Sequence, residues 1–251
     1  MNHLELFSGT HSFGKVTTEM GYNVVSLDRD LGDTNGDYTS KKHFKEDILT
    51  WDYKQYPKKH FKLITASPVC LWWSNLRSTW IGRKLKAHNG EVCTRELLNK
   101  DIDLFGKPMV DKVREIIDYF EPEFYLIENP ESGKMKTYIT DLPYHDFDYC
   151  KFGFDYRKRT RFWTNIPNLE SIKCKKDCDS MVTIELPNKT QKIHKTRMGV
   201  SRVVDPKTGE ISLTMHTKHK AQVSSYGGGT NRTMRYRIPT DLVKHVIEKT
   251  L

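Results

Sequence analysis

No apolar run in the sequence approaches the ~20 residues that a membrane span needs. The first residues, Met1-Asn2-His3-Leu4-Glu5-Leu6-Phe7, place no basic segment ahead of an apolar one, so no secretory signal is expected. Cysteine is scarce. Five residues, odd in number and scattered, suit a reducing intracellular compartment, cytoplasmic or nuclear, better than a disulfide framework. Acidic excess is also missing, and the net charge of +9 is unevenly spread. Residues 151–251 carry 21 Lys and Arg against nine acids, whereas residues 1–150 carry 20 against 23. Such asymmetry points to a polyanion, a nucleic acid, met mainly by the C-terminal part. There is no internal repeat, and 251 residues suffice for one large domain with a small appendage and a real core.

What is present is organised around Leu63-Ile64-Thr65-Ala66-Ser67-Pro68-Val69-Cys70. The first four residues read as a short buried strand, which sets Cys70 just past its carboxyl end, where open α/β sheets build their sites. A buried, inert thiol is the plain alternative for Cys70 alone. The same arrangement recurs at Phe124–Ile127, a strand leading into Glu128-Asn129-Pro130.

In chain order, Leu4–Phe7 reads as a strand ending in Phe7-Ser8-Gly9-Thr10-His11-Ser12-Phe13-Gly14. Ser12 is expected to cap a helix over about 13–20 that Gly21 closes. Asn23–Leu27 is the next strand, ending at Asp28. Strand, glycine turn, helix, strand and acid make the first half of a nucleotide-binding α/β unit, with the acid facing ribose hydroxyls. His11 stands where the second glycine of a Gly-x-Gly-x-x-Gly motif would be. That disfavours a pyrophosphate cofactor such as a nicotinamide dinucleotide and leaves room for one without phosphates, S-adenosylmethionine. Lys45–Ile48 is expected to end a third strand, with Asp47 placed for an adenine amino group. Leu71–Gly90 carries Arg77, Arg83, Lys84, Lys86 and His88 among Trp72, Trp73 and Trp80, the composition of a functional or mobile loop. Helical patterning over about 91–120 is expected to break near Gly106-Lys107-Pro108. Tyr144–Phe154 is strand-like. Arg157, Arg159 and Arg161 share one face of an extended segment, a spacing suited to phosphates or a base carbonyl. From about Ile166 to Gly229 the chain is polar and basic, read as a small irregular lobe with Gly227-Gly228-Gly229 as connector. Residues 239–250 form an amphipathic helix opened by Pro239.

Taken together, these motifs resemble the DNA (cytosine-5) methyltransferase family, in particular its compact members of viral or phage type. Phe7-Ser8-Gly9-Thr10 is similar to the family's cofactor motif. Pro68-Val69-Cys70 resembles its Pro-Cys nucleophile motif, Glu128-Asn129-Pro130 its Glu-Asn-Val motif, and Arg157–Arg161 its Gln-x-Arg-x-Arg motif. The departures are His11 for glycine, Val69 for proline, Pro130 for valine and Arg157 for glutamine.

The resemblance implies a Rossmann-like α/β methyltransferase fold with a mostly parallel sheet and a small irregular target-recognition lobe. It divides the chain into a catalytic domain over 1–165, a target-recognition region over 166–229 and a returning helix over 230–251. It implies S-adenosylmethionine against Phe7, Ser8, Gly9, Thr10, Asp28, Asp47, Ile48 and Pro68. Cys70 would be the nucleophile and Glu128 the acid at ring nitrogen N3. Arg159 and Arg161 would hold the base carbonyl and nearby phosphates, and Arg77, Arg83, Lys84 and Arg157 would contact the nucleic acid. The expected partner is DNA, met by a monomer with the target cytosine flipped out. The alternatives are a tRNA cytosine-5 methyltransferase and a catalytically silent nucleic-acid-binding protein on the same fold.

Cys174, Cys178 and His194 are metal-ligand types, but Cys-x-x-x-Cys is looser than a zinc ribbon's spacing. No fourth ligand declares itself among Cys150, His216 and His219. The expectation is no resident metal.

Overall fold

The computed structural model describes residues 1–30, 42–186, 189–194, 198–204, 211–217 and 236–251. His3-Leu4-Glu5-Leu6 forms the middle of strand β1 (Asn2–Leu6), buried on both faces as the centre of a parallel sheet must be. The chain turns into helix α1 (Ser12–Glu19) and returns as β2 (Asn23–Leu27) and β3 (Lys42–Phe44). Strand β4 (Leu63–Ala66) lies on the other side of β1, followed by helices α2 (Arg95–Asp101) and α3 (Lys107–Phe120) and strand β5 (Phe124–Pro130). Strands β6 (Tyr144–Asp148) and β7 (Arg159–Thr164) complete a seven-stranded sheet ordered β3-β2-β1-β4-β5-β7-β6. Strands β1 to β5 pair in parallel, β7 is antiparallel to both its neighbours, and β6 runs in the same direction as the other five. The order reverses between β1 and β4, which puts the topological switch point beside Cys70. This is the α/β sheet expected from the sequence.

One core layer joins Leu4, Ile64 and Ile127 to Val110, Val113, Ile116 and Phe120 of α3. The other joins Phe13, Leu63, Phe147 and Phe162 to Leu242, Val243, Val246 and Ile247 of helix α4 (Thr240–Ile247). The alternation of strand side chains sends neighbours such as Leu63 and Ile64 to opposite layers. Helix α4 packs on this face of the sheet, with Pro239 at its N-cap. The 3-10 turn that follows it, Glu248–Thr250, is fixed to α1's exit by a 3.0 Å hydrogen bond between the Thr250 and Tyr22 hydroxyls.

Several local expectations change. Ser12 is the first residue of α1, and its side chain makes no cap. The Glu5 carboxylate accepts from Phe13 and Gly14 N–H at 3.1 and 3.0 Å, supplying a negative charge at the helix N-terminus from inside the sheet. His11 adopts the left-handed conformation that a glycine favours (φ 54°). It is buried, with Nδ1 3.2 Å from Glu5 Oε2 and 3.3 Å from Ser26 Oγ. Strand β3 ends at Phe44, short of Lys45–Ile48, because Asp47 caps its own turn by accepting from Leu49 N–H.

The helix over 95–120 does not break at Gly106-Lys107-Pro108. A π-helical turn at Ile102–Gly106 absorbs the proline's missing N–H, and α3 continues. Strand β6 stops at Asp148, where the chain turns at Tyr149–Lys151. The polar region is more regular than its composition suggests. Strands β8 (Met181–Leu186) and β9 (Lys189–His194) pair antiparallel, as do β10 (Met198–Val204) and β11 (Ile211–Thr217). The Gly227–Gly229 connector and His219 lie outside the described residues. Among the described residues, no helix is long and apolar enough to cross a membrane.

Candidate active site

At the carboxyl ends of β1, β2, β4 and β5 the chain encloses a cleft of about 810 Å³. One wall is the turn after β1. Phe7 and Gly9 both have positive φ (54° and 45°), which bends the backbone sharply enough for Gly9 N–H to reach Asp28 Oδ2 at 2.9 Å. Asp28 Oδ1 accepts from Asp30 N–H at 2.9 Å. Burial pushes the Asp28 carboxyl upward against these two hydrogen bonds. Ser8, Thr10, Asp47, Ile48 and Pro68 line the same end. Asp47 is partly exposed, 4.0 Å from Arg29 Nη1. His11 is not among the lining residues.

The other wall carries Cys70, Glu128, Pro130, Trp72, Phe105 and Lys158. Glu128 stands on β5, because antiparallel pairing with β7 carries that strand on to Pro130. The Thr160 hydroxyl donates to Glu128 Oε1 and lies 3.2 Å from the Asn129 carbonyl, so it has a partner in either protonation state of Glu128. Asn129 Nδ2 donates to the Pro68 carbonyl at 2.8 Å, which ties the end of β5 to the segment that presents Cys70. A second tie runs from Lys134 N–H to the Trp73 carbonyl at 2.7 Å. Gly133 is confined there, since a Cβ would sit 3.1 Å from the Pro130 carbonyl and 3.3 Å from that of Trp73.

Burial, then the neighbouring Glu128 charge, pushes the Cys70 thiol upward in pKa, while Lys158 pulls it down. Burial likewise raises Glu128, opposed by Lys158 and the Thr160 hydroxyl. A thiol and a carboxyl thus face one cavity, and Lys158 lowers the pKa of both.

The expected basic residues divide. Arg159 and Arg161 are not brought to the cleft. In β7 their side chains alternate with Thr160 and Phe162, and the register sets Thr160 and Phe162 on Glu128's face of the sheet. Arg159 is held bidentate by Asp148 at 2.9 and 2.8 Å, and Arg161 by Asp146 at 2.8 and 3.1 Å, each acid directly opposite on β6. Arg157 precedes the strand and is exposed, so the three arginines do not form one stripe.

Arg77 corrects the reading of the 71–90 loop. Its guanidinium is buried against Asp101, which His88 Nε2 also approaches at 3.1 Å, and it lies over Trp72 and Trp80. Pulling Arg77 out to a phosphate would strand a buried carboxylate, a cost of about 3–5 kcal/mol. Arg83 and Lys84 are exposed. Sequence reasoning missed Glu5, Asn129, Lys158 and Thr160. Asn129, Lys158 and Thr160 stood inside quoted motifs with a polar side chain to flag them, and Glu5 did not.

No family model matches the chain. A protein of Frog virus 3 (isolate Goorha), named "Probable DNA (cytosine-5)-methyltransferase", is 31% identical over 253 residues, covering 99% of each chain. The chain belongs to the DNA (cytosine-5)-methyltransferase family. Among solved structures it is similar to a DNMT2 mutant of Spodoptera frugiperda (16% identity, TM-score 0.41, 70% of this chain and 56% of that one). It is also similar to the Dnmt2 methyltransferase of S. pombe (16%, 0.38, 70% and 50%). The chain spans about half the length of these two.

The methyl donor of the cytosine-5 methyltransferase family is S-adenosylmethionine, and the first wall fits it. Ser8 Oγ is buried with no hydrogen-bond partner among the described residues. A Cβ on Gly9 would meet nothing nearer than the Phe7 carbonyl at 3.9 Å, which leaves the space before the turn open. Leu27, Ile48 and Pro68 supply apolar surface beside the Asp28 carboxylate.

Proposed function

We propose that this chain methylates carbon 5 of a cytosine in DNA through a covalent Cys70 adduct. The observation that carries the reading is that Cys70 and Glu128, from the ends of two neighbouring parallel strands, line one cleft with the Asp28 wall. Phe7–Thr10, Asp28, Asp47, Ile48 and Pro68 would hold S-adenosylmethionine, which when bound supplies an electrophilic methyl group for carbon 5.

The chain's own residues make carbon 5 reactive. Cys70, once its thiol proton is lost, forms the S–C6 bond, and the C5=C6 electron pair moves onto carbon 5. Negative charge spreads into the ring toward N3, where Glu128 in its protonated form donates. Burial favours that form. After methylation N3 returns its proton to Glu128, the carbon 5 proton leaves to solvent, the C5=C6 bond re-forms, the C6–S bond breaks and Cys70 is returned as thiolate. Asn129, by holding the Pro68 carbonyl, keeps the thiol and the carboxyl in one frame. Arg159 and Arg161, paired to Asp148 and Asp146, are positioning residues that fix the register of β7 and so the place of Thr160. Arg83, Lys84 and Arg157, all exposed, and the basic C-terminal region take the phosphates. The target base leaves the stack to reach a buried carboxyl.

The test uses duplex DNA carrying 5-fluorocytosine, whose fluorine cannot leave as a proton does. With S-adenosylmethionine the protein should form an adduct stable to denaturant, and Cys70→Ser should form none while binding cofactor as before. Trapping on 5-fluorocytosine tRNA and not on DNA would move the substrate to RNA. Methylation by Cys70→Ser at the wild-type rate would overturn the mechanism.

A further inference from the structure

Outside the cleft, the fold gathers three thiols and an imidazole. Cys150 lies in the turn Tyr149–Lys151 after β6, Cys174 and Cys178 flank a turn before β8, and His194 is the last residue of β9. All four are buried, and one ligand atom from each lies within 4.8 Å of every other. We propose that Cys150, Cys174, Cys178 and His194 bind a structural zinc ion that fastens the small lobe to the catalytic sheet. The sequence left the fourth ligand open and the expectation at no metal. Cys150, 24 residues before Cys174, is what the fold adds.

The geometry suits zinc. A tetrahedral site with bonds of about 2.3 Å to sulfur and 2.0–2.1 Å to nitrogen sets its donors roughly 3.5–3.8 Å apart. Cys174 Sγ and His194 Nε2 are already 3.9 Å apart, and no pair in the group exceeds 4.8 Å, so binding asks for a closure of about 1 Å at most pairs. The turn is shaped as thiolate ligands require. Lys176, at φ 65°, points its N–H at Cys174 Sγ (3.3 Å), and Lys175 N–H is taken by Asp177 Oδ1 (3.0 Å). Asp177 Oδ2 lies 3.2 Å from Lys151 Nζ, which fixes the knuckle against the Cys150 turn.

A disulfide would engage two of the thiols and leave the third and His194 unexplained, whereas soft thiolates with one imidazole are a zinc donor set. Four protein ligands close the site to water and substrate, which makes it structural. None of the four lines the cleft, so this inference stands apart from the catalytic reading. On binding, the three thiols lose their protons to solvent and His194 ligates as the neutral imidazole.

The consequence is mechanical. Asp148 Oδ2 accepts from Cys174 N–H at 2.8 Å and from Arg159 Nη2 at 2.8 Å, so the metal knuckle and the β6–β7 pairing share one carboxylate. Metal loss would free the Cys174 turn and loosen the strand that carries Thr160.

The full chain, purified under reducing conditions without chelator, should carry about one zinc ion per chain by plasma mass spectrometry. Cys178→Ala and His194→Ala should each lose most of it, whereas Cys93→Ala, a buried thiol outside the cluster, should keep it. If those variants fail to fold, cobalt added to metal-free wild-type protein decides. Intense visible bands of a tetrahedral site with thiolate charge transfer support the site. Protein that comes metal-free and takes up neither zinc nor cobalt overturns it. So does zinc retained in full by a folded Cys178→Ala variant, or a pair of the four residues found as a disulfide without metal.

Discussion

Asp28 and Glu128 stand at opposite ends of the same cleft, each delivered by a strand of the parallel sheet and each pushed upward in pKa by burial. They differ in what holds them. Asp28 accepts from two backbone N–H groups, which stay put whatever is bound and favour the charged carboxylate. Glu128 is held, among the described residues, by the Thr160 hydroxyl, which can turn from donor to acceptor. On the function proposed above, the first would accept hydrogen bonds from a bound ligand and the second would change its protonation. Placing an acid in each half of one cavity therefore produces two chemistries, set by partners and not by residue type.

The sharpest way to break this comparison is Glu128→Gln. It keeps the shape and removes the titratable proton, so turnover should fall by about 10²–10⁴-fold, the range for a positioned acid–base group. Cofactor affinity by calorimetry should stay unchanged. A matching loss of cofactor affinity would mean that Glu128 belongs to the binding wall and the contrast is false.

Asp28→Ala should do the reverse. Losing hydrogen bonds from ligand hydroxyls to a charged acceptor is worth about 1.5–3 kcal/mol, or roughly 10–150-fold in S-adenosylmethionine affinity. Turnover at saturating cofactor should change far less. Equal affinities in variant and wild type, measured by titration with S-adenosylhomocysteine, would remove Asp28 from the cofactor site.

How far the sequence showed this cavity follows from what local pattern encodes. Cys70 and Glu128 were legible because each follows a short apolar run, and Asp28 because the turn-to-acid spacing is local. The faces of β7 were not legible. Alternation fixes that Arg159 and Arg161 share a side, but only pairing with β5 and β6 decides which side. The pairing gave them to Asp148 and Asp146 and gave Thr160 to Glu128. Arg77 failed for a related reason: Asp101, its buried partner, is 24 residues away. Glu5 reads as a strand residue of uncertain use until α1 sets its open N–H groups above it. The π-helical turn is likewise a tertiary outcome. It brings Phe105 against Trp72 with ring centroids 4.8 Å apart, at the mouth of the cleft.

The smallest expected effect concerns Lys158, which precedes β7 and lines the catalytic half of the cleft. Its ammonium lies 4.9 Å from the Tyr149 ring centroid and lowers the pKa of both Cys70 and Glu128 against the burial that raises them. The form proposed to react has Cys70 ionised and Glu128 protonated, so the rate should pass through a maximum bounded by the two titrations. Lys158→Met keeps the stem and removes the charge, which lets both pKa values rise. The whole pH–rate profile, read from single-turnover methylation, should therefore move to higher pH. Lys158→Arg should restore it. Glu128→Gln should move the thiol-controlled limb the opposite way, because it removes the negative charge that opposes the thiolate. A profile for Lys158→Met that stays in place, or moves to lower pH, would show that the cation between the two groups does not set their titration.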